Sequence, residues 1–167
     1  MAESDTREVR VITLKQPHAW SVIHAGKGVE NRSRNVAGGY RGLVAIHAGL
    51  GTAGEADWSW ERPEYRAALD SATSAVRHRL DVRGAIIGVV DLVDVHWDCW
   101  PHGPAMIDGT PPSSWRCSPW AMSGLHHLVL ENPRPLREVV PLTGGLGLRR
   151  MDEDTRQRVL AQIGGGA

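Results

Sequence analysis

The sequence predicts an α+β fold, a small mixed β-barrel with flanking helices, and three observations carry that prediction. Short alternating or wholly apolar segments recur from Val9 to Arg150. Only two or three segments have helical spacing, and they do not alternate with the strands as a parallel α/β sheet requires. A chain of 167 residues with 41% hydrophobic and 23% charged side chains is long enough for one domain with a real core. The expected division is a flexible N-terminus (1–8), one domain (9–163) and a disordered tail (164–167). Within the domain, 50–82 reads as a loop–helix insertion and 98–119 as a long irregular connection.

In chain order, "REVRVITLKQ" alternates around Val9, Val11, Ile12 and Leu14 as an opening strand. Pro17 then suits a first helical position, Ala19, Trp20, Val22 and Ile23 form an apolar stripe, and Gly26 or Gly28 ends the helix. "VENRSR" reads as a short strand, and "LVAIHAG", apolar on both faces, as a central one. "GLGTAGEADWSWERP" is a glycine-rich, tryptophan-bearing loop. After it, Tyr65, Leu69, Ala72, Val76 and Leu80 are spaced four, three, four and four apart, which predicts one helix with a single buried stripe. "GAIIGVVDLVDVHW" returns to strand pattern. "HHLVLENPRPLREVVPLTGG" reads as two short strands split at Pro133 and Pro135, and "DEDTRQRVLAQI" as a C-terminal helix with acids in its first turn.

Several classes are excluded. Nineteen basic and nineteen acidic residues cancel, so no global field attracts a polyanion and any such site is local. Two cysteines make no secreted disulfide framework, "MAESDTREVR" lacks the apolar core of a signal peptide, and "GAIIGVV" is too short to span a bilayer; the expectation is a reduced, cytoplasmic protein without membrane contact. There is no GxGxxG, phosphate-binding loop, GxSxG or HExxH. With no Phe, two Tyr and seven Trp, indole is the default large ring. An indole N–H needs a partner when buried, and an indole face can stack on a base.

The most informative stretch is "GKGVENRSR". In a strand Glu30 and Arg32 share a face, with Val29 and Asn31 on the other, and Lys27 lies at a glycine-flanked bend from which its ammonium can turn toward the same side. Four cations (Lys27, Arg32, Arg34, Arg41) against one acid (Glu30) between positions 27 and 41 make a local patch in a neutral chain. A solvated turn with a weak ion pair is the bland alternative.

"LKQPHAWSVIHAGKGVENRSR" followed by "YRGLVAIHAG" resembles the ASCH domain, the activating-signal-cointegrator homology domain of the PUA-like superfamily, in which a helix is followed by G-x-K-x-x-E-x-R and an RG…IHA strand. Lys27, Glu30 and Arg32 match in order and spacing, and "GAIIGVVDLVDV", "SPWAMSGLHHLVLENPRPL" and "VPLTGGLGLRR" extend the resemblance over roughly residues 9–150. There are departures: Gly26 directly precedes Lys27, the family's earlier glycine position holds Ala25, Arg34 stands where a ring is usual after "ENRS", and Leu148 where "GLW" carries one. The resemblance implies a PUA-like pseudo-barrel whose cleft, between the first helix and the sheet, binds RNA, DNA or a nucleotide-like small molecule. Arg32 would hold a phosphate or base edge, Lys27 would add a point charge, and Glu30 would accept from an exocyclic amine. Gln16, Trp20, Asn31, Arg41, His47 and Trp120 complete the expected binding set, and no cofactor or metal is expected.

Two other readings stand beside this one. Proteins similar to the family hydrolyse an amide on a modified cytidine, through a Thr three positions after the Lys; here that position is Glu30, so a hydrolase acting on such an amide or on RNA would instead use Glu30 or Asp91 as general base, with Lys27 stabilising the oxyanion. The third is a protein-interaction adaptor in transcription or translation regulation. Among other groups, His96, Cys99 and His102, with Cys117 and His126 beyond, are enough ligands for zinc but match no standard spacing. His47 reads first as a core histidine and Trp20 as a core ring. Trp58 and Trp60 read as loop residues able to close over a ligand, and Arg77, His78 and Arg79 as a solvated helix face.

Overall fold

The computed structural model describes residues 5–54, 57–99 and 117–164, without the side chains of Trp58 and Ser59. Strands β1 (Val9–Gln16), β2 (Val29–Arg32), β3 (Gly42–Thr52), β4 (Ala85–Trp97), β5 (His126–Pro141) and β6 (Leu148–Arg150) form one mixed sheet in the order β2-β5-β4-β3-β1-β6. All pairings are antiparallel except that of β1 with β3. The sheet does not close: β2 and β6 are its edges. A side-chain stitch nevertheless joins β2 to the far half of the sheet, where Arg32 Nη2 donates to the Thr13 carbonyl on β1 at 3.2 Å.

The apolar run of β3 is central because both its faces are covered. Val44, Ile46 and Ala48 join a core with Ala19, Val22 and Ile23 of helix α1 (His18–His24), while Leu43 and Ala45 join a second core with Val159 and Leu160 of helix α4 (Glu153–Ile163). Helix α1 lies hard against β4: a Cβ at Gly88 would fall 2.4 Å from Ile23 Cδ1, so only glycine admits this approach. The helix stops at Ala25, and Gly26 at φ +67° turns the chain so that the Lys27 N–H still reaches the Ser21 carbonyl at 3.0 Å. The acids that open α4 lie in its first turn as expected, and Asp152 caps it by accepting from the Thr155 N–H. Arg156 of this helix donates to the carbonyls of Asp5 and Arg7.

Two expectations are corrected. The stretch read as one helix is α2 (Pro63–Ser71), α3 (Ser74–His78) and a 3-10 turn (Arg79–Asp81). Ala72 and Thr73 between the helices are extended, and the Thr73 hydroxyl caps α3 by accepting from Val76 N. A side chain that bonds its own backbone in this way ends a helix and starts another. The apolar stripe survives the break, since Tyr65 is buried and Leu69, Ala72, Val76 and Leu80 pack partly buried beside Trp20 and Trp120. The two short strands expected around Pro133 and Pro135 are one strand, β5. The ladder absorbs the prolines by slipping register: between Val89↔Arg134 and Asp91↔Glu131 one residue of β4 faces two of β5, and Asn132 takes φ +50° at this bulge.

Trp20 ties these layers together. Its ring is fully buried, its N–H donates to the Val76 carbonyl at 2.9 Å, and its backbone N–H donates to Gln16 Oε1 at 3.0 Å. Replacing Trp20 by Phe removes the indole donor and part of the ring, with an expected loss of about 1–3 kcal/mol. Urea unfolding should show a lower midpoint at an unchanged slope.

Candidate functional site

At the end of α1 the chain buries an ammonium group. Lys27 is 2% exposed, and its Nζ donates to the Val29 carbonyl at 2.9 Å and to Glu30 Oε2 at 2.6 Å. The other Glu30 oxygen, Oε1, lies 3.1 Å from Arg32 Nε. That approach is an ion pair without hydrogen-bond alignment, which leaves the buried Arg32 Nε–H without an aligned acceptor. Burial raises the Glu30 pKa, but the Lys27 and Arg32 charges and the Lys27 hydrogen bond outweigh it, holding the carboxyl below its ordinary value of 4.5.

Two hollows of about 260 Å³ each open beside this cluster. One is lined by His18, Lys27, Glu30, Asn31, Asp57, Met122 and Leu125. The other runs along Thr13, Leu14, Lys15 and Arg32 and shares His18, Glu30 and Asn31 with the first. Beyond Arg32 a wider groove of about 450 Å³ passes Arg34, Asn35 and Leu146–Leu148. Asn31 fixes one wall: its Nδ2 donates to the Trp120 carbonyl at 2.9 Å, and its Oδ1 accepts from the Met122 N–H at 2.9 Å.

The structure thus brings Lys27, Glu30, Asn31 and Arg32 to one cleft and places the other expected residues elsewhere. Gln16 is buried, donating to the Arg79 carbonyl and accepting from the Trp20 N–H, each at 3.0 Å. Trp20 and Trp120 are core rings, the latter under the Arg62 guanidinium at 5.2 Å, so neither offers a free face for stacking. Trp60 packs edge-on against Tyr65, 5.9 Å between centroids. The Trp58 side chain lies outside the described residues. Arg41 is spent on the Gly38 and Tyr40 carbonyls and sits 3.9 Å from Asp94. His47 is a core histidine on the Leu142 carbonyl at 2.7 Å, with burial depressing its pKa. Asp91 pairs with Arg134 and Asn132, at 2.5 and 2.8 Å, and lines neither hollow at the cluster.

Sequence reasoning passed over a second pair in the cleft. His18 Nε2 lies 2.9 Å from Asp57 Oδ2, while His18 Nδ1 is buried without a partner among the described residues. The position of His18 just after Pro17 in "QPHAW" was a usable signal, because a first-turn side chain of α1 faces the same cleft as the bend that ends it. Asp57, 39 residues further along, carries no local signal. Where spacing gave no zinc pattern, the structure gathers His96, Cys99, Cys117 and His127, with ligand atoms all within 4.8 Å of one another. His102 lies outside the described residues, and His126 turns away onto Trp97, 4.9 Å between ring centroids.

No family model and no curated protein matches the sequence. Among solved structures, a tyrosine-to-phenylalanine mutant of ASCH from Zymomonas mobilis superposes with a TM-score of 0.50 at 15% identity, over 93% of this chain and 98% of that one. A second ASCH structure from Zymomonas mobilis gives 0.47 at 15% identity, over 92% and 94%. The chain has the α+β fold of the ASCH domain.

Replacing Lys27 by Met leaves a buried carboxylate short of its main partner and should cost about 3–5 kcal/mol, while Lys27→Met/Glu30→Gln together should recover much of that loss. Folding releases the Glu30 proton more readily than the unfolded chain does. The stabilisation is therefore complete above the ordinary carboxyl value of 4.5 and is lost as pH falls through the lower folded value. The thermal midpoint of the wild type should accordingly fall more steeply as pH drops below 4.5 than that of the double variant.

Proposed function

We propose that the cleft beside Lys27, Glu30 and Arg32 binds single-stranded RNA or a nucleotide-like ligand through its phosphate and the polar edge of its base. The observation that carries this reading is a chain of hollows joined through shared residues. Glu30, Asn31 and His18 belong to both smaller ones, and Arg32 leads from them into the groove beside Arg34. Cations therefore stand along a path while Glu30, the one buried acid among the described residues, is already paired with Lys27. Lys27 acts from beneath, holding Glu30 as a fixed acceptor, and the half-exposed Arg32 is the group positioned to meet a phosphate. The two family positions usually occupied by rings, here Arg34 and Leu148, line the same groove, so this chain trades stacking there for charge. No helix among the described residues is long and apolar enough to cross a membrane.

A second reading has one observation in its favour. His18 is oriented by Asp57 and keeps a buried nitrogen without a partner, an arrangement that suits a general base in the hydrolysis of an acylated nucleoside or RNA. Glu30 is a weaker candidate, because its two cationic neighbours depress its basicity. Conversion of an acylated cytidine by the wild type, abolished in His18→Gln, would favour this reading over binding alone.

Fluorescence anisotropy with a short single-stranded RNA at several salt concentrations tests the binding reading. Arg32→Ala and Arg34→Ala should each weaken binding and lower the slope of log K against log salt by about 0.7. Equal affinity and equal slope in wild type and both variants would remove this cleft as the site.

A further inference from the structure

At the opposite end of β2 from its helix, the ends of β4 and β5 bring four metal-binding side chains together. His96 lies on β4, Cys99 just past it, Cys117 ahead of β5 and His127 on β5. His96 and His127 are direct partners in the β4–β5 ladder, with their rings 5.3 Å apart and nearly perpendicular. Asp98 holds the neighbouring backbone: its N–H donates to the Leu125 carbonyl at 2.9 Å, and its Oδ2 accepts from the Gly124 N–H at 2.8 Å. Cys99 and Cys117 are thereby presented side by side, and the Cys117 N–H donates to Cys99 Sγ at 3.2 Å.

We propose that His96, Cys99, Cys117 and His127 bind a zinc ion as a tetrahedral Cys₂His₂ site that fixes the wall of the ligand cleft. Both histidines have one nitrogen committed elsewhere and the other available. His96 Nδ1 is bonded to the Asp94 carboxylate at 2.7 Å, while its Nε2 is buried and has no partner among the described residues. His127 Nε2 bonds the Met122 carbonyl at 2.7 Å, which as an acceptor places the proton on Nε2 and leaves Nδ1 to face Cys117 Sγ at 3.4 Å. A carboxylate or a carbonyl on the far nitrogen is the usual support of a metal-bound imidazole. The 3.4 Å separation is close to the edge of a tetrahedron built on zinc, about 3.5 Å between N and S. Zinc would enter as Zn²⁺ and displace the two thiol protons to solvent, leaving two thiolates and two neutral imidazoles around the ion with no redox change. Four protein ligands leave no position for substrate, so the site is structural.

Its connection to the cleft is short. His127 bonds the Met122 carbonyl, Met122 N–H bonds Asn31, and Met122 and Leu125 line the hollow at Lys27 and Glu30. The ion would hold Cys117, at the start of that wall segment, to the end of β4.

Cobalt(II) titration of the reduced full-length chain tests the site. The expected result is a thiolate-to-cobalt charge-transfer band with the intense visible absorption of tetrahedral cobalt, saturating at one ion per chain and erased by zinc. Cys99→Ser/Cys117→Ser should lose the band, and His127→Gln should weaken binding by more than tenfold. His126→Gln, whose ring lies on Trp97, should bind as the wild type does. Absence of the thiolate band in the reduced wild type would overturn the proposal without any variant having to fold. So would a band that survives in the double-serine variant, or a Cys99–Cys117 disulfide that resists alkylation in protein purified under reducing conditions.

Discussion

A lysine ammonium 2% exposed to solvent is tolerable only if its charge is met, and in this chain Glu30 meets it at 2.6 Å. Much of the local structure follows from that requirement. The ammonium arrives where it does because α1 ends against β4 and Gly26 turns the chain by a left-handed residue. The carboxylate arrives because β2 pairs with β5 in a register that places Glu30 opposite Leu128. Once ionised and fixed, the carboxylate draws Arg32 toward it, and Arg32 in turn reaches the Thr13 carbonyl of β1. One buried pair thus links the first helix, the edge strand and the mouth of an otherwise open sheet.

Burial of such a pair is poor evidence of stability in itself, since well-packed apolar residues often serve as well or better. What it provides is a charged cluster of fixed geometry, with a carboxyl held below its ordinary value and a guanidinium whose Nε–H has no aligned acceptor among the described residues. Preorganised charge of this sort costs little to rearrange on binding. Arg34 and Leu148 line the groove beyond Arg32, so its lining among the described residues is cationic and aliphatic rather than aromatic.

Much of this was legible in the sequence because it rests on local spacing. The strand pattern from Val9 to Leu14, the stripe of α1, the double-faced apolar run of β3 and the convergence of Lys27, Glu30 and Arg32 are all matters of two to four residues. What the sequence hid was long-range. Trp120 stood in the expected binding set, whereas the fold buries it with Trp20 and Tyr65. Asp91 looked like a spare acid until β5 placed Arg134 beside it. The prolines of β5 argued for a break because a register slip in the partner strand cannot be read from β5 alone. His126 and His127 are adjacent in sequence but lie on opposite faces of a strand, so only strand pairing decides which of them joins the cysteines.

In the proposed function the ionic cluster is a ligand site as well as a structural brace. An NMR titration of the isotope-labelled chain with a nucleoside monophosphate, following the backbone amides and the Arg32 side chain, tests this. Saturable shifts are expected at His18, Asn31, Arg32, Met122 and Leu125. Saturable shifts confined to residues away from this cleft, or none at all with the cluster intact, would contradict it.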